Sequence, residues 1–416
     1  MRPGVTRWLV VVPLLVLSTL GAALGDIMGV SGLVASHHPD ALLLVWLVEA
    51  LLAVLAAGLV AERIDRYDRV SFARSSAGAA ALCALVGAWV FLRPSPNPAA
   101  LLALAVVERL QSCVLYAVVW ALARDVFGAR VAAFVKLRVV STLGGLGGAG
   151  LATLGASAAV ARSTLFLGLA LAFVLAALTL GAATKRLGPE AAALRVVRRD
   201  EGAAAPSLRS AVVAVRAHAA LRALSGLGVM NGAAYTVFTF LVAQSLGAQA
   251  GAGADTVQRW YSALRGLEPL AYAGTELLAA GWVIARLGLT RSLTVTPWVL
   301  LAINLAVARA PTPRTTFVTS ALLQAAFAIE GPALAARLAA LPTALRGRLG
   351  VLLDGTPYSV GYIVGVGLLG LVRLFEVRAA GAEWGALPTL GLALLCGLAG
   401  LRFAARLRAS ASHEPT

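Results

Sequence analysis

Tyr261, Arg265, Glu268, Tyr272 and Thr275 stand at i, i+4, i+7, i+11 and i+14. On a helix that spacing puts all five on one face. The run that carries them reads as a membrane span, where a polar stripe must face a bundle interior or a wet cavity. An arginine one turn from a glutamate can hold an anion, move a proton, or merely tie helices together. Two tyrosines on the same face favour cavity lining; an internal ion pair is the alternative. Other charges sit inside apolar runs: Asp26, Glu49, the adjacent Glu108 and Arg109, and Glu330. Each costs roughly 3 kcal/mol at bilayer centre on insertion scales, so each asks for an explanation. Asn231, Tyr235 and Thr239 form a shorter stripe one span before the first.

The elements that position these groups follow from composition. The chain has 416 residues, 60% of them hydrophobic and 13% charged. Soluble domains are nearer a quarter charged. Apolar runs of about 20 residues recur along the whole chain. The expectation is an all-α integral membrane protein with twelve spans: 8–35, 41–62, 75–92, 99–121, 139–160, 163–183, 218–246, 261–285, 293–309, 315–338, 351–373 and 385–405. The net charge of +16 is not the mark of a nucleic-acid partner, because the arginines concentrate in alternate short loops, as an orientation signal does. That bias puts both termini in the cytoplasm of a cell whose inner membrane holds the chain. Arg259, Arg265, Arg309 and Arg314 fit it least well.

The longest polar interruption, Lys185 to His218, follows the sixth span. Six spans, a basic cytoplasmic linker and six spans is the layout of the major facilitator superfamily. It divides the chain into a half at 1–184, a linker at 185–217 and a half at 218–416. If the halves are repeats, a shift of 218 residues sets Lys136 on Asp354 and Gly147 on Gly365. Lys136 and Asp354 then stand at equivalent cytoplasmic helix ends, where opposite charges can pair in one state and part in another. Arg124, Asp125 and Arg138 join them as gate candidates, the first two read as lying with Arg130 and Lys136 in the loop between spans 4 and 5. The glycines of span 5, from Gly144 to Gly155, serve close helix approach or sliding equally well.

Several chemistries are excluded. No GxxxxGK[ST] loop and no His, Cys and carboxylate cluster at metal spacing appears, so neither enzyme nor cofactor is expected. Cys83, Cys113 and Cys396 lie in apolar runs, which argues against disulfides and metal sites. His37 and His38 read as a solvated loop. The N-terminal apolar run continues past Asp26 to Val34, long for a signal peptide and right for a span.

Several motifs then fall together. The fourth span has Glu108 early and Trp120 near its end, then Arg124-Asp125, then Ala129-Arg130 opening a basic stretch before a small-residue helix. Span 9 has Thr296-Pro297. Leu341-Pro342, Arg346, Arg348, Asp354-Gly355 and Gly361 follow, and Asp26 lies in span 1. This pattern resembles the bacterial and plastid ATP/ADP translocases, the nucleotide transporters of the major facilitator superfamily. In that family Asn-Asp is usual where Arg124-Asp125 stands, Lys where Gly25 stands, and a basic residue where Ser359 stands. Those basic groups are where phosphates are expected to bind.

The resemblance implies an antiporter that exchanges ATP and ADP, or a related anionic metabolite, by alternating access of its two halves; a monomer is expected. Arg265 and Arg109 would then hold negative groups, since guanidinium forks suit phosphate and carboxylate. Glu108 and Glu268 would orient those arginines or carry a proton, with Asp26, Tyr261, Tyr272, Asn231 and Tyr235 lining the site. Two other functions fit the residues. One is a proton-coupled exporter of apolar or cationic compounds working through the intramembrane acids. The other is a membrane scaffold or sensor that transports nothing.

Overall fold

A chain this apolar has to satisfy its backbone polar groups within each segment, which leaves the helix as the element that can cross a bilayer. The computed structural model describes residues 3–35, 41–63, 68–93, 97–127, 131–157, 160–186, 213, 215–247, 254–339, 353, 356–378 and 387–411; they contain no strand. The principal helices are α1 (Pro3–Ala35), α2 (Ala41–Arg63), α3 (Arg69–Val90), α4 (Pro98–Phe127), α5 (Val131–Ala156), α6 (Arg162–Arg186), α7 (Ala219–Gly247), α8 (Ala254–Thr275), α9 (Val295–Arg309), α10 (Pro313–Ala339), α11 (Thr356–Arg378) and α12 (Leu387–Ala411). Each of the twelve expected spans overlaps one of them, though span 8 (261–285) runs past the end of α8 at Thr275.

The ends are set by local chemistry. Asp68 caps α3 by accepting from the Val70 and Ser71 amides at 3.2 and 3.3 Å, and Asn97 caps α4 by accepting from Ala99 at 2.9 Å, with Pro98 at the first helical position where its missing N–H costs nothing. Beyond α8 a five-residue π segment, Glu276–Ala280, leads into Gly281–Leu287. Gly288 stops that run at φ 76°, a conformation that glycine adopts without strain.

Eight helices are long and apolar enough to cross a membrane among the described residues, and α2 and α4 hold the shorter apolar stretches Leu42–Ala56 and Pro98–Glu108. The loop expected after span 4 is shorter than the sequence suggests. Arg124 and Asp125 lie on α4, and Lys136 and Arg138 on α5. Hydropathy marks the bilayer core, whereas a helix runs on for a turn or two through the headgroup layer.

The helices form two compact units. The first holds Met1–His38, Leu55–Ala203 and Ala250–Pro269; the second holds Pro39–Val54, Ala204–Gln249 and Leu270–Thr416. In the first, α1 packs on α4, α5 and α6, and α3 on α4 and α6. Small residues set those distances. A Cβ on Gly148 of α5 would lie 2.5 Å from the Leu20 carbonyl oxygen, and one on Gly144 2.5 Å from that of Val16. Close approach of this kind drives helix association where lipid offers no hydrophobic gain. Gly145 and Gly150 meet nothing within 4 Å among the described residues, so only part of the glycine run does this job. In the second unit α7 packs on α9, α11 and α12, and α9 on α10 and α12. Leu221, Leu224, Leu227, Leu293 and Leu407 form a core cluster there.

Candidate functional site

Within the first unit the charged stripe of α8 meets the single acid of α1. The Arg265 guanidinium reaches Asp26 at 2.9 Å and Glu268 at 2.8 Å. The same nitrogen that meets Asp26 also donates to the Tyr261 hydroxyl at 2.8 Å. That hydroxyl in turn donates to Asp26 at 3.5 Å. The Tyr261 ring lies under the guanidinium, 5.1 Å from its centroid. Side-chain exposure is 22%, 23% and 14% for Arg265, Asp26 and Glu268, so the cluster is partly dry without being sealed.

The start of α8 explains why the arginine arrives there. Arg162 at the head of α6 pairs with Asp255 in the first turn of α8 and lies over the Phe91 ring. Gln258, itself buried, donates to the Ala152 carbonyl of α5 at 2.8 Å. Gly266 passes Ala149 and Leu146 at van der Waals distance. Arg265 follows Asp255 by ten residues, about 15 Å along the axis and half of a hydrocarbon core. Pro269 comes one turn later. It has no N–H to give the Arg265 carbonyl, so the helix ladder is broken at the residue that carries the charge.

Removing the Tyr261 hydroxyl tests this geometry gently. Tyr261→Phe keeps the ring under the guanidinium and loses both hydroxyl contacts. A melting temperature lower by ~2–4 °C is expected, in line with roughly 1–1.5 kcal/mol for one hydrogen bond. Wild-type melting would show that the ring alone positions Arg265.

Glu108 is placed beside this group. It is 1% exposed and its stem packs on Gly25, where an added Cβ would lie 2.6 Å from the Glu108 Cγ. Both of its carboxylate oxygens lack a hydrogen-bond partner among the described residues. Arg109, Arg124 and Asp125 are on α4, but their side chains lie outside the described set. Lys136 is exposed on α5 and Arg138 half-buried. Asp354 and Arg130 lie outside the described residues, and with Asp354 the expected gate pairing.

The remaining candidates belong to the second unit. Asn231 donates to Glu330 at 3.4 Å. Tyr235 packs against Phe327, Tyr358 and Tyr362 with ring centroids 5.5–5.9 Å apart, the range of favourable aromatic pairs. Thr239 bonds back to the Tyr235 carbonyl at 2.9 Å, so its hydroxyl is satisfied within its own helix. Tyr272 and Thr275, the far end of the stripe, lie beyond Pro269 and group with this unit.

Sequence reasoning named Asp26 and Arg265 without joining them, since residues 239 positions apart give no local signal of contact. It also missed the aromatic group and the pairing of Asn231 with Glu330. Of these four rings only Tyr235 stands out in the sequence.

No protein-family model matches the sequence, and no curated protein matches it either. Solved structures do. A mutant of the nucleoside transporter NupG is similar with a TM-score of 0.72 at 13% identity, covering 97% of this chain and 99% of that one. A mutant of the peptide transporter POT is similar with a TM-score of 0.64 at 14% identity, covering 96% and 95%. Identities this low speak for the fold. The chain is an all-α, multi-pass membrane protein with the major facilitator fold.

Proposed function

We propose that the chain is a secondary transporter working by alternating access, which exchanges a nucleotide or a related anionic metabolite across the cytoplasmic membrane. One observation carries the reading: the Arg265 guanidinium is held between carboxylates of two different helices, Asp26 of α1 and Glu268 of α8. An arginine at depth whose partners are acids can exchange a carboxylate for an incoming phosphate or carboxylate of the substrate, because its planar fork suits either. The likeness of the Glu108–Gly155 stretch to the nucleotide translocases supports the substrate class. NupG, named as a nucleoside transporter, is similar in fold. Glu108, with no partner among the described residues, is the proposed proton carrier beside the cluster. The halves 1–184 and 218–416, the basic linker between them and both termini in the cytoplasm complete the reading.

Counter-exchange in liposomes tests it. Purified protein is reconstituted, loaded with ADP and offered labelled ATP, with labelled nucleosides as a parallel arm. Uptake that requires internal ADP is expected. Folded, inserted protein that takes up neither sinks the nucleotide-class reading.

A second reading has its own observation. Two carboxylates surround one guanidinium, so the cluster carries net negative charge when all three groups are ionised. That balance favours a proton-coupled carrier of neutral or cationic solutes. Such a carrier would confer drug resistance on cells, lose it on Asp26→Asn or Glu268→Gln, and ignore nucleotides as inhibitors.

A further inference from the structure

The second unit contains a polar group that the arginine site does not use. Three helices contribute to it: α7 gives Asn231, α9 gives Thr296 and α10 gives Glu330. Asn231 is 1% exposed and Thr296 is fully buried. The Asn231 amide nitrogen stands 3.4 Å from Glu330 Oε1, long for a hydrogen bond to a carboxylate, which normally closes to about 2.7–2.9 Å. The Thr296 hydroxyl faces the same carboxylate without completing a hydrogen bond to it. Tyr358 of α11 lies within electrostatic reach of Glu330.

Four oxygens of this group are sealed from solvent and have no hydrogen-bond partner among the described residues: Glu330 Oε2, Asn231 Oδ1, Thr296 Oγ1 and the Tyr358 hydroxyl. Buried polar atoms in folded proteins are almost always satisfied. No basic side chain is among the groups acting on Glu330, so no counter-charge comes from the described chain; the donors beside it, Asn231 and Thr296, are neutral. A proton on Glu330 would give one donor and leave the other oxygens as they are. A cation serves several at once. Carboxylate, amide carbonyl and hydroxyl oxygens are the ligands that hard cations take. A single carboxylate balances a single charge, whereas a divalent ion would leave a net charge buried at bilayer depth.

We propose that Glu330, Asn231 and Thr296, with Tyr358 beside them, form a binding site for a monovalent hard cation of the sodium class. On the transporter reading above, this ion is a second bound ion that accompanies the exchanged substrate, beside the proton assigned to Glu108.

Binding is measured without transport, so the two readings fail separately. Purified protein is unfolded by heat in about 100 mM NaCl or in choline chloride of equal strength, followed by tryptophan fluorescence. Wild type should melt ~3 °C higher in sodium, the shift expected for an ion well above its dissociation constant. Glu330→Gln and Thr296→Val should each lose the shift, and Asp26→Asn in the other unit should keep it. If Glu330→Gln does not fold, Thr296→Val alone decides. No sodium shift in wild type overturns the site, as does a shift that survives in the folded variants. Melting that follows pH but ignores sodium would mean that Glu330 takes a proton, which also overturns it.

Discussion

Arg265→Ala should slow uptake in reconstituted vesicles by at least a hundredfold, about 2.7 kcal/mol at the rate-limiting step. Hydrogen bonds to charged groups contribute about 1.5–3 kcal/mol each, and Arg265 makes such contacts with Asp26 and Glu268. Truncation also leaves two carboxylates facing one another at depth. Removing one partner of a buried pair costs about 3–5 kcal/mol, and the partial exposure of this cluster puts the stability loss nearer the low end. Lost activity alone therefore does not separate binding from folding. The triple variant Arg265→Ala, Asp26→Asn, Glu268→Gln does, because it removes the charge imbalance. Recovered melting temperature with uptake still absent would place the charged cluster in the transport step rather than in folding alone. Recovered uptake would make the arginine a strut and send the anion site elsewhere.

Gly361→Val should strike the fold rather than the chemistry. A Cβ at Gly361 would overlap the Val229 carbonyl oxygen of α7 and stand 2.9 Å from both the Ala233 amide nitrogen and the Gly232 Cα. The facing Gly232 is equally tight against the Tyr358 carbonyl oxygen. Two backbones meet here with no side chain between them, so there is no flexible end to give way. Overpacking a well-filled contact costs about 1–3 kcal/mol and sometimes more, and the atoms met here are backbone. A melting temperature lower by ~5–10 °C is expected, with much of the protein lost as aggregate on size-exclusion chromatography. Wild-type melting would mean that α7 and α11 pass farther apart than they do here.

What the sequence made legible follows from what lipid demands. A bilayer requires about 20 apolar residues per crossing, and that signal is local, so each span could be placed. Helix ends were less legible, as Arg124 and Lys136 show: both are charged, both look like loop, and both lie on helices. The face of α8 was readable from spacing because Tyr261, Arg265 and Glu268 are neighbours on one helix. Their partner Asp26 was not, because pairing between helices depends on packing by residues such as Gly148 and Ala149 that carry no chemical label. Glu330 stood out as a lone intramembrane acid, yet its neighbours Asn231 and Thr296 come from two other helices. The lysine expected before Asp26 in the nucleotide translocases is a further case. Sequence showed only that Gly25 differs, whereas the structure shows Glu108 filling the space.

That last contact constrains the order in which this protein can change. With Glu108 in place, position 25 has no room even for a methyl group, so a lysine cannot be introduced there in a single viable step. The Glu108 Cβ alone would lie 2.7 Å from the new one, so a change at position 108 to glycine has to come first, and it removes the acid that a new lysine would have paired with. Positions 25 and 108 are therefore epistatic. A library randomising both should yield folded lysine-25 clones only with glycine at position 108. A library that holds Glu108 fixed should yield almost nothing larger than glycine at position 25.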